Sequence, residues 1–230
     1  MINLNIFVNI SIKINQINII VNSNNNPNPV FLKKFDLDNL IKHNQFELVL
    51  KKIILEIEKK LNISVNKLYL MIEDHQLNSI DISINENFEN NAITKTSIEY
   101  LLQDLRQQII TNHADKRIVH IIIKKCKLDD EEYNNIPFGN KCRNFFLEIS
   151  FIYLKKNFVS NFENLLKKHQ IEVNRIICTN YARSLLDIDF DDLSKAGIAA
   201  IDNNNLNEVN VISKKINKLG FFEKLFHIFS

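Results

Sequence analysis

The side chains in this 230-residue sequence that could carry chemistry are six histidines, three cysteines and 27 carboxylates, and their spacing argues against most uses. His43, His75, His113, His120, His169 and His227 are scattered. None forms an HExxH pair or joins a dense His/carboxylate group, so no sequence-local metal site is expected. His120 lies beside Ile121, Ile122 and Ile123. A strand histidine among β-branched neighbours reads as a satisfied core or partner-facing residue rather than a ligand. Asp187, Asp189, Asp191 and Asp192 could offer oxygens to a divalent cation. They lack the glycine and terminal glutamate of an EF-hand loop and read as a solvated loop. Cys126, Cys142 and Cys178 are odd in number and show no CxxC spacing, which suits free thiols in a reducing compartment. No Ser or Cys has the flanking glycines of a nucleophile elbow. The sequence thus assigns no catalytic residue, no metal and no cofactor, and the expected function is not enzymatic.

Glycine usage excludes more. The chain has three, Gly139, Gly197 and Gly220. A phosphate loop needs several close together, because only glycine lets backbone N–H groups close around a phosphate. Dinucleotide folds of the GxGxxG type and Walker ATPases are therefore excluded by count. Lys plus Arg (29) against Asp plus Glu (27) leaves a net charge of +2, which is no footprint for nucleic acid. Apolar residues make up 45 % and charged residues 24 %, so a folded core is expected. The opening stretch, Met1 to Asn22, is broken by asparagines and carries its first cation, Lys13, behind the apolar part, so it does not read as a secretory leader. No run approaches the ~18–20 charge-free apolar residues of a spanning helix. Asn, Ile and Lys are over-used, as translation from an AT-rich genome produces, and many surface asparagines need no other explanation.

The elements that would position these residues follow from periodicity. Asn5 to Val21 alternates loosely and predicts a β-hairpin turning near Asn15-Gln16, followed by a linker from Asn22 to Pro29. Phe46, Val49, Ile53, Ile57 and Leu61 repeat at helical spacing. Strands are expected at Leu68–Ile72 and Leu77–Ile84, then a helix capped by Thr94 with a stripe of Ile98, Leu101, Leu102, Leu105 and Ile109. Long strands cover Arg117–Leu128 and Phe145–Leu154 around a Pro137-Phe138-Gly139 turn. A helix bearing Phe158, Phe162, Leu165 and Leu166 follows, then a strand at Arg175–Cys178, a short helix near Tyr181–Leu186 and a strand at Gly197–Ile201. The expected class is α+β.

The tail stands apart. At ~100° per residue, Leu219, Phe221, Phe222, Leu225, Phe226, Ile228 and Phe229 fill one half of a helix. Gly220, Glu223, Lys224, His227 and Ser230 fill the other, and Lys214, Lys215 and Lys218 precede it. Such a face suits either an interfacial membrane helix or a helix packed on the chain's own core.

Several motifs resemble FtsA, the actin-like bacterial division protein. Glu56 to Ile72 (EIEKKLNISVNKLYLMI) is similar to that family's helix ending A-E-x-M-A and the strand V-Y-V-x-I-S-G. Arg117 to His120 (RIVH) resembles its R-x-[IL]-H, and Leu128-Asp129 with Pro137-Phe138-Gly139 resembles its [IV]-D and N-P-x-G. Ile171 to Ile177 (IEVNRII), Tyr181-Ala182 and Asp191 to Asp202 (DDLSKAGIAAID) follow in the family's order. Where the family has the phosphate loop D-I-G-T, Phe7 to Lys13 reads FVNISIK; where it has D-x-G-G-G-T, Asp202-Asn203-Asn204-Asn205 stands. Glycine is also missing at Glu73-Asp74. The family continues through two further subdomains and the FtsZ docking site, whereas here residues 203–216 lead to the tail.

The resemblance implies an FtsA-like chain reduced to a partial actin-like sheet, an inserted strand-helix-strand-strand interaction domain and a membrane tail. Residues 1–35 would be the N-terminal hairpin and linker, 36–156 the inserted domain that the family calls 1C, and 157–202 the return to the actin-like part. Residues 203–216 would be a linker and 217–230 the amphipathic helix. Its membrane-binding residues would be Lys218, Leu219, Phe221, Phe222, Lys224, Leu225, Phe226, Ile228 and Phe229. The function implied is a cytoplasmic, membrane-attached division adaptor. Its partners would be other division proteins or its own copies, together with an anionic membrane surface, with no nucleotide and no nucleic acid. The rivals are a ligand-binding or enzymatic α+β domain with a cleft near His120, and a remnant without activity.

Overall fold

A computed structural model of the chain describes residues 4–12, 14–23, 28–36, 43–75, 77–186, 192–202, 205 and 207–209. Strands β1 (Leu4–Ser11) and β2 (Gln16–Ser23) form the expected hairpin, with Asn15 at φ 49° in its turn. Asparagine tolerates that left-handed conformation better than most residues. The hairpin then gains a third strand that the sequence reading missed. β3 (Phe31–Asp36) pairs antiparallel with β2. Only Phe31 of its six residues is fully buried, which weakens the alternation signal.

Helix α1 (His43–Leu61) buries Leu50, Ile53 and Ile57 against this sheet. β4 (Lys67–Glu73) then enters parallel to β1, and β9 (Glu172–Cys178) lies parallel to β4. The strand order is β3-β2-β1-β4-β9. Helix α3 (Lys156–Lys168) shares the α1 face, burying Val159, Phe162, Leu165 and Leu166 in one core with Leu50, Ile53 and Ile57. The opposite face carries α4 (Thr179–Ser184) and α5 (Leu193–Ile201), whose Ala182, Ala196 and Ala200 pack with Phe7, Ile20, Met71 and Ile177.

α5 corrects the strand expected at Gly197–Ile201. The Asp192 side chain accepts from the Ser194 and Lys195 N–H groups, which caps a helix, and alanines then propagate it. Gly197 sits there for closeness, since a Cβ would lie 2.8 Å from Cε1 of the Phe7 ring.

The second sheet contains β5 (Ser79–Asn87), β6 (Lys116–Leu128), β7 (Glu131–Tyr133) and β8 (Asn144–Lys155). Its order is β5-β8-β6-β7, and every pair is antiparallel. One helix covers it, α2 (Lys95–Asn112), capped by Thr94 in a reciprocal arrangement with Ser97. Ile98, Leu102, Leu105 and Ile109 are buried as expected, while Leu101 is half-buried. Gly139 takes φ 89° in the turn expected there.

The second sheet begins at Ser79, since β4 lies in the first sheet and α1 packs on it. β4 runs through the middle of that sheet with Leu70, Met71 and Ile72 all buried. The two sheets share material. β8 places Phe145, Leu147, Ile149 and Phe151 in the α2 core but Ile152 and Leu154 in the α1/α3 core.

Candidate functional site

The chain's return from the second sheet creates a buried polar junction. His120 on β6, Arg175 on β9 and Tyr181 on α4 converge on the carboxylate of Glu208, beyond α5. His120 Nδ1 lies 2.8 Å from Glu208 Oε1, and the Cys178 N–H donates to His120 Nε2 at 2.9 Å. Because Nε2 accepts, the proton sits on Nδ1 and the ring is neutral. Burial drives its pKa below the ordinary 6.5, against the pull of Glu208 in the other direction. Tyr181 Oη donates to Glu208 Oε2 at 2.9 Å, and Arg175 pairs with Oε1 of the same carboxylate. Burial alone would favour the protonated acid, but the His120 hydrogen bond, Arg175 and Tyr181 outweigh it, so the Glu208 carboxyl is held below its usual range.

This junction is structural. Arg175 also donates to the Ala200 carbonyl at 2.8 Å, tying β9 to α5. Ile123 N–H donates to Asn207 O and Val209 N–H to Ile121 O, both at 2.9 Å, so the segment at 207–209 lies along β6 like a short strand. His120 has both ring nitrogens engaged and a side chain wholly removed from solvent. It is a satisfied core histidine, as its neighbours implied. It offers no free nitrogen to a ligand.

A second polar group lines the α4/α5 side of the hairpin. Asn9 and Asn18 face each other across β1 and β2, and both are buried with Ser11 and Asn22. Thr179 Oγ1 donates to Asn9 Oδ1 at 2.7 Å, and Asn22 Nδ2 donates to Ser194 Oγ at 2.6 Å. Asn9 Nδ2, Ser11 Oγ, Asn18 Oδ1 and Asn22 Oδ1 find no hydrogen-bond partner among the described residues. These are neutral amides and a hydroxyl, so they bring donors and acceptors but no charge.

Other residues singled out in the sequence are not assembled into one site. Lys218, Leu219, Phe221, Phe222, Lys224, Leu225, Phe226, Ile228 and Phe229, with His227, lie outside the described residues, as do Asp187, Asp189 and Asp191. Asp192 is the α5 cap. Cys126, Cys142 and Cys178 are free, buried thiols. Burial, with a contribution from Cys142, pushes Cys126 up to about 11. His169 Nε2 lies 3.4 Å from Glu47 and His113 Nδ1 lies 3.5 Å from Lys116, partners that are not members of the junction. No group of three or more His, Cys, Asp or Glu among the described residues is placed to hold a metal ion, and no described helix is long and apolar enough to cross a membrane. Glu208 was missed because it stands 88 positions from His120, in a stretch that reads as linker.

Comparison with known proteins adds a direction. No family model matches the chain. Over 88 residues, 38 % of the chain, it is 28 % identical to the cell division protein FtsA of Helicobacter pylori strain ATCC 700392 / 26695. The FtsA of strain J99 gives the same identity over the same length. The chain is distantly FtsA-like. The matched stretch amounts to 18 % and 17 % of the length of these FtsA proteins. Among solved structures, the cytoplasmic domain of EpsL, an inner membrane component of the Vibrio cholerae type II secretion system, overlays with a TM-score of 0.37 at 11 % identity, covering 78 % of this chain and 57 % of that one. The PilM-PilN type IV pilus biogenesis complex gives 0.42 at 10 % identity, covering 79 % and 48 %. Both overlays are loose.

Proposed function

We propose that this protein is a non-catalytic, membrane-attached division adaptor of FtsA-like type. The observation that carries the reading is the 28 % identity to FtsA over 88 residues, in a chain whose motifs follow that family's order. The lack of glycine in both stretches that resemble the family's phosphate loops, Phe7–Lys13 (FVNISIK) and Asp202-Asn203-Asn204-Asn205, supports the non-catalytic part. Asn9 and Ser11 are buried side chains in the first stretch, where FtsA-type proteins bring backbone against phosphate. The unit from Ser79 to Lys155 would contact division proteins or further copies of the chain. It offers the outer edge of β5, a strand paired on one side only, with β8, among the described residues. The tail would hold the protein on the inner face of the cytoplasmic membrane through Phe221, Phe222, Leu225, Phe226, Ile228 and Phe229, with Lys218 and Lys224 beside them.

The test is a fluorescent fusion of the full chain in its own cells, with capture of its partners. Peripheral membrane signal, loss of that signal in Phe222→Glu/Phe226→Glu, and recovery of division proteins are expected. Uniform cytoplasmic signal from the unmodified chain would sink the membrane part. A saturable micromolar signal on calorimetric titration with ATP and Mg²⁺ would sink the non-nucleotide part.

A further inference from the structure

The outward faces of α1 and α3 show a charge pattern that neither fold nor composition requires. Every exposed charged residue described on these two helices is a lysine: Lys51, Lys52, Lys59 and Lys60 on α1, and Lys156, Lys167 and Lys168 on α3. Their four carboxylates are all half-buried, and Glu56, Glu58 and Glu163 are engaged elsewhere. Glu47 lies 3.4 Å from His169, Glu56 pairs with Lys33, Glu58 accepts the Val65 N–H at 2.9 Å, and Glu163 lies 3.3 Å from Arg117.

The macrodipole accounts for part of this, since Lys59, Lys60, Lys167 and Lys168 sit in last turns. It does not account for Lys51, Lys52 or Lys156. Lysine-rich composition does not account for it either, because the second sheet and its helix expose Asp81, Glu86, Asp104, Asp130 and Glu131. The lysines also surround apolar side chains. Leu48 and Leu55, two turns apart on α1, are 69 % and 56 % exposed. On the helical wheel Lys52 and Lys59 fall with them on one narrow arc, opposite the buried Leu50, Ile53 and Ile57.

We infer that this α1/α3 face is a second membrane contact, resting on an anionic lipid surface with Leu48 and Leu55 pointed into it. The inference deepens the membrane reading above and rests on it for the choice of lipid as occupant. Charge complementarity makes the occupant anionic. The lysines are spread over two helices on the outside of a sheet, and a diffuse field of that kind suits a planar charged surface better than a peptide. A second copy docking through the same face would set lysine against lysine. The cationic tail is disfavoured as a cover for the same reason.

The test uses the full chain and sedimentation with vesicles of phosphatidylglycerol and phosphatidylcholine. Lys51→Gln/Lys52→Gln/Lys156→Gln alters exposed residues only, and its fold is checked by thermal melting. Its partition onto anionic vesicles should drop on the order of tenfold to a hundredfold, with a shallower salt dependence. A polarity-sensitive fluorophore on Leu55→Cys should shift to the blue on anionic vesicles, and the same dye on Asp104→Cys of α2 should not. An unchanged partition, or no shift at position 55, overturns the inference. Loss of self-association with vesicle binding intact would make a second copy the occupant, and overturns it too. The tail reading fails separately: Phe222→Glu/Phe226→Glu binding as tightly as the unmodified chain would remove the tail and leave this face as the anchor. A chain that ignores anionic vesicles altogether would end both.

Discussion

β1 and β5 are strands of similar length with opposite surroundings. In β1, Ile6, Val8 and Ile10 enter the α1/α3 core while Phe7 enters the α4/α5 core, so consecutive residues are buried in different places. In β5, Ile80, Ile82 and Ile84 pack towards α2 while Ser79, Asp81 and Ser83 face solvent. A strand covered on both faces reads as a near-continuous apolar run, and one covered on a single face alternates. The first arrangement leaves no dry place for a polar side chain without a partner. Hence the asparagines of the first sheet are the residues that demand explanation, and the serines of β5 are not.

The comparison breaks most visibly by truncating one apolar residue in each strand. Phe7→Ala should cost about 3–5 kcal/mol, because the ring is fully buried between Tyr69, Gly197 and its other neighbours. Ile82→Ala should cost no more than about 1 kcal/mol, since that side chain already meets solvent. Denaturant unfolding of both variants would show this. Equal losses would mean that the second face of the first sheet is not packed as described.

A smaller effect sharpens the same point. Gly197→Ala drives a methyl group to 2.8 Å from Cε1 of the fully buried Phe7 ring, so the ring or the helix must shift. Overpacking of this kind costs about 1–3 kcal/mol, offset by up to about 1 kcal/mol from the better helix propensity of alanine. Phe7→Leu should restore part of the loss, so a double-mutant cycle should report coupling. Strict additivity would place the strain elsewhere.

Most of the elements were legible in the sequence, because long periodic stripes announce themselves. Ile98, Leu102, Leu105 and Ile109 could be read from spacing alone. The failures share one cause. β3 and α5 are short: β3 carries one fully buried residue and is fixed by its pairing with β2, and in α5 the Asp192 cap outweighs an apolar run that reads as strand. The junction fared the same way. His120 could be read as a satisfied residue from its apolar neighbours, but Glu208 could not be found, because nothing local marks a carboxylate that pairs across 88 positions.

The junction makes the fold sensitive to acid. His120 is neutral in the folded chain with its pKa depressed by burial, so between 6.5 and that lower value the unfolded chain binds a proton that the folded chain refuses. Stability contributed by the neutral ring is therefore present above about pH 6.5 and lost as pH falls, by at most about 1.4 kcal/mol per pH unit. Tyr181, whose pKa is raised by burial, keeps its proton throughout this window. Glu208 contributes only below its ordinary 4.5. Thermal melts from pH 7.5 to 5 should fall for the unmodified chain and run flatter for His120→Gln. Parallel slopes would show that the ring is not held neutral.

The smallest effect bears on the polar residues of the doubly covered sheet. Ser11 is fully buried, and its Oγ has no hydrogen-bond partner among the described residues. A buried hydroxyl without a partner has lost its water and gained nothing, a desolvation penalty of about 1–3 kcal/mol on mutational scales. Ser11→Ala removes the oxygen and keeps the Cβ, so neither a large cavity nor a new contact arises. The variant should therefore be as stable as the unmodified chain or more stable by up to about 1 kcal/mol, whereas most substitutions at buried positions destabilise. Matched urea titrations resolve a change of that size. A loss above about 1 kcal/mol would show that the hydroxyl is satisfied in solution, by water or by a residue outside those described, and that the α4/α5 side of the hairpin is wetter than the α1/α3 side.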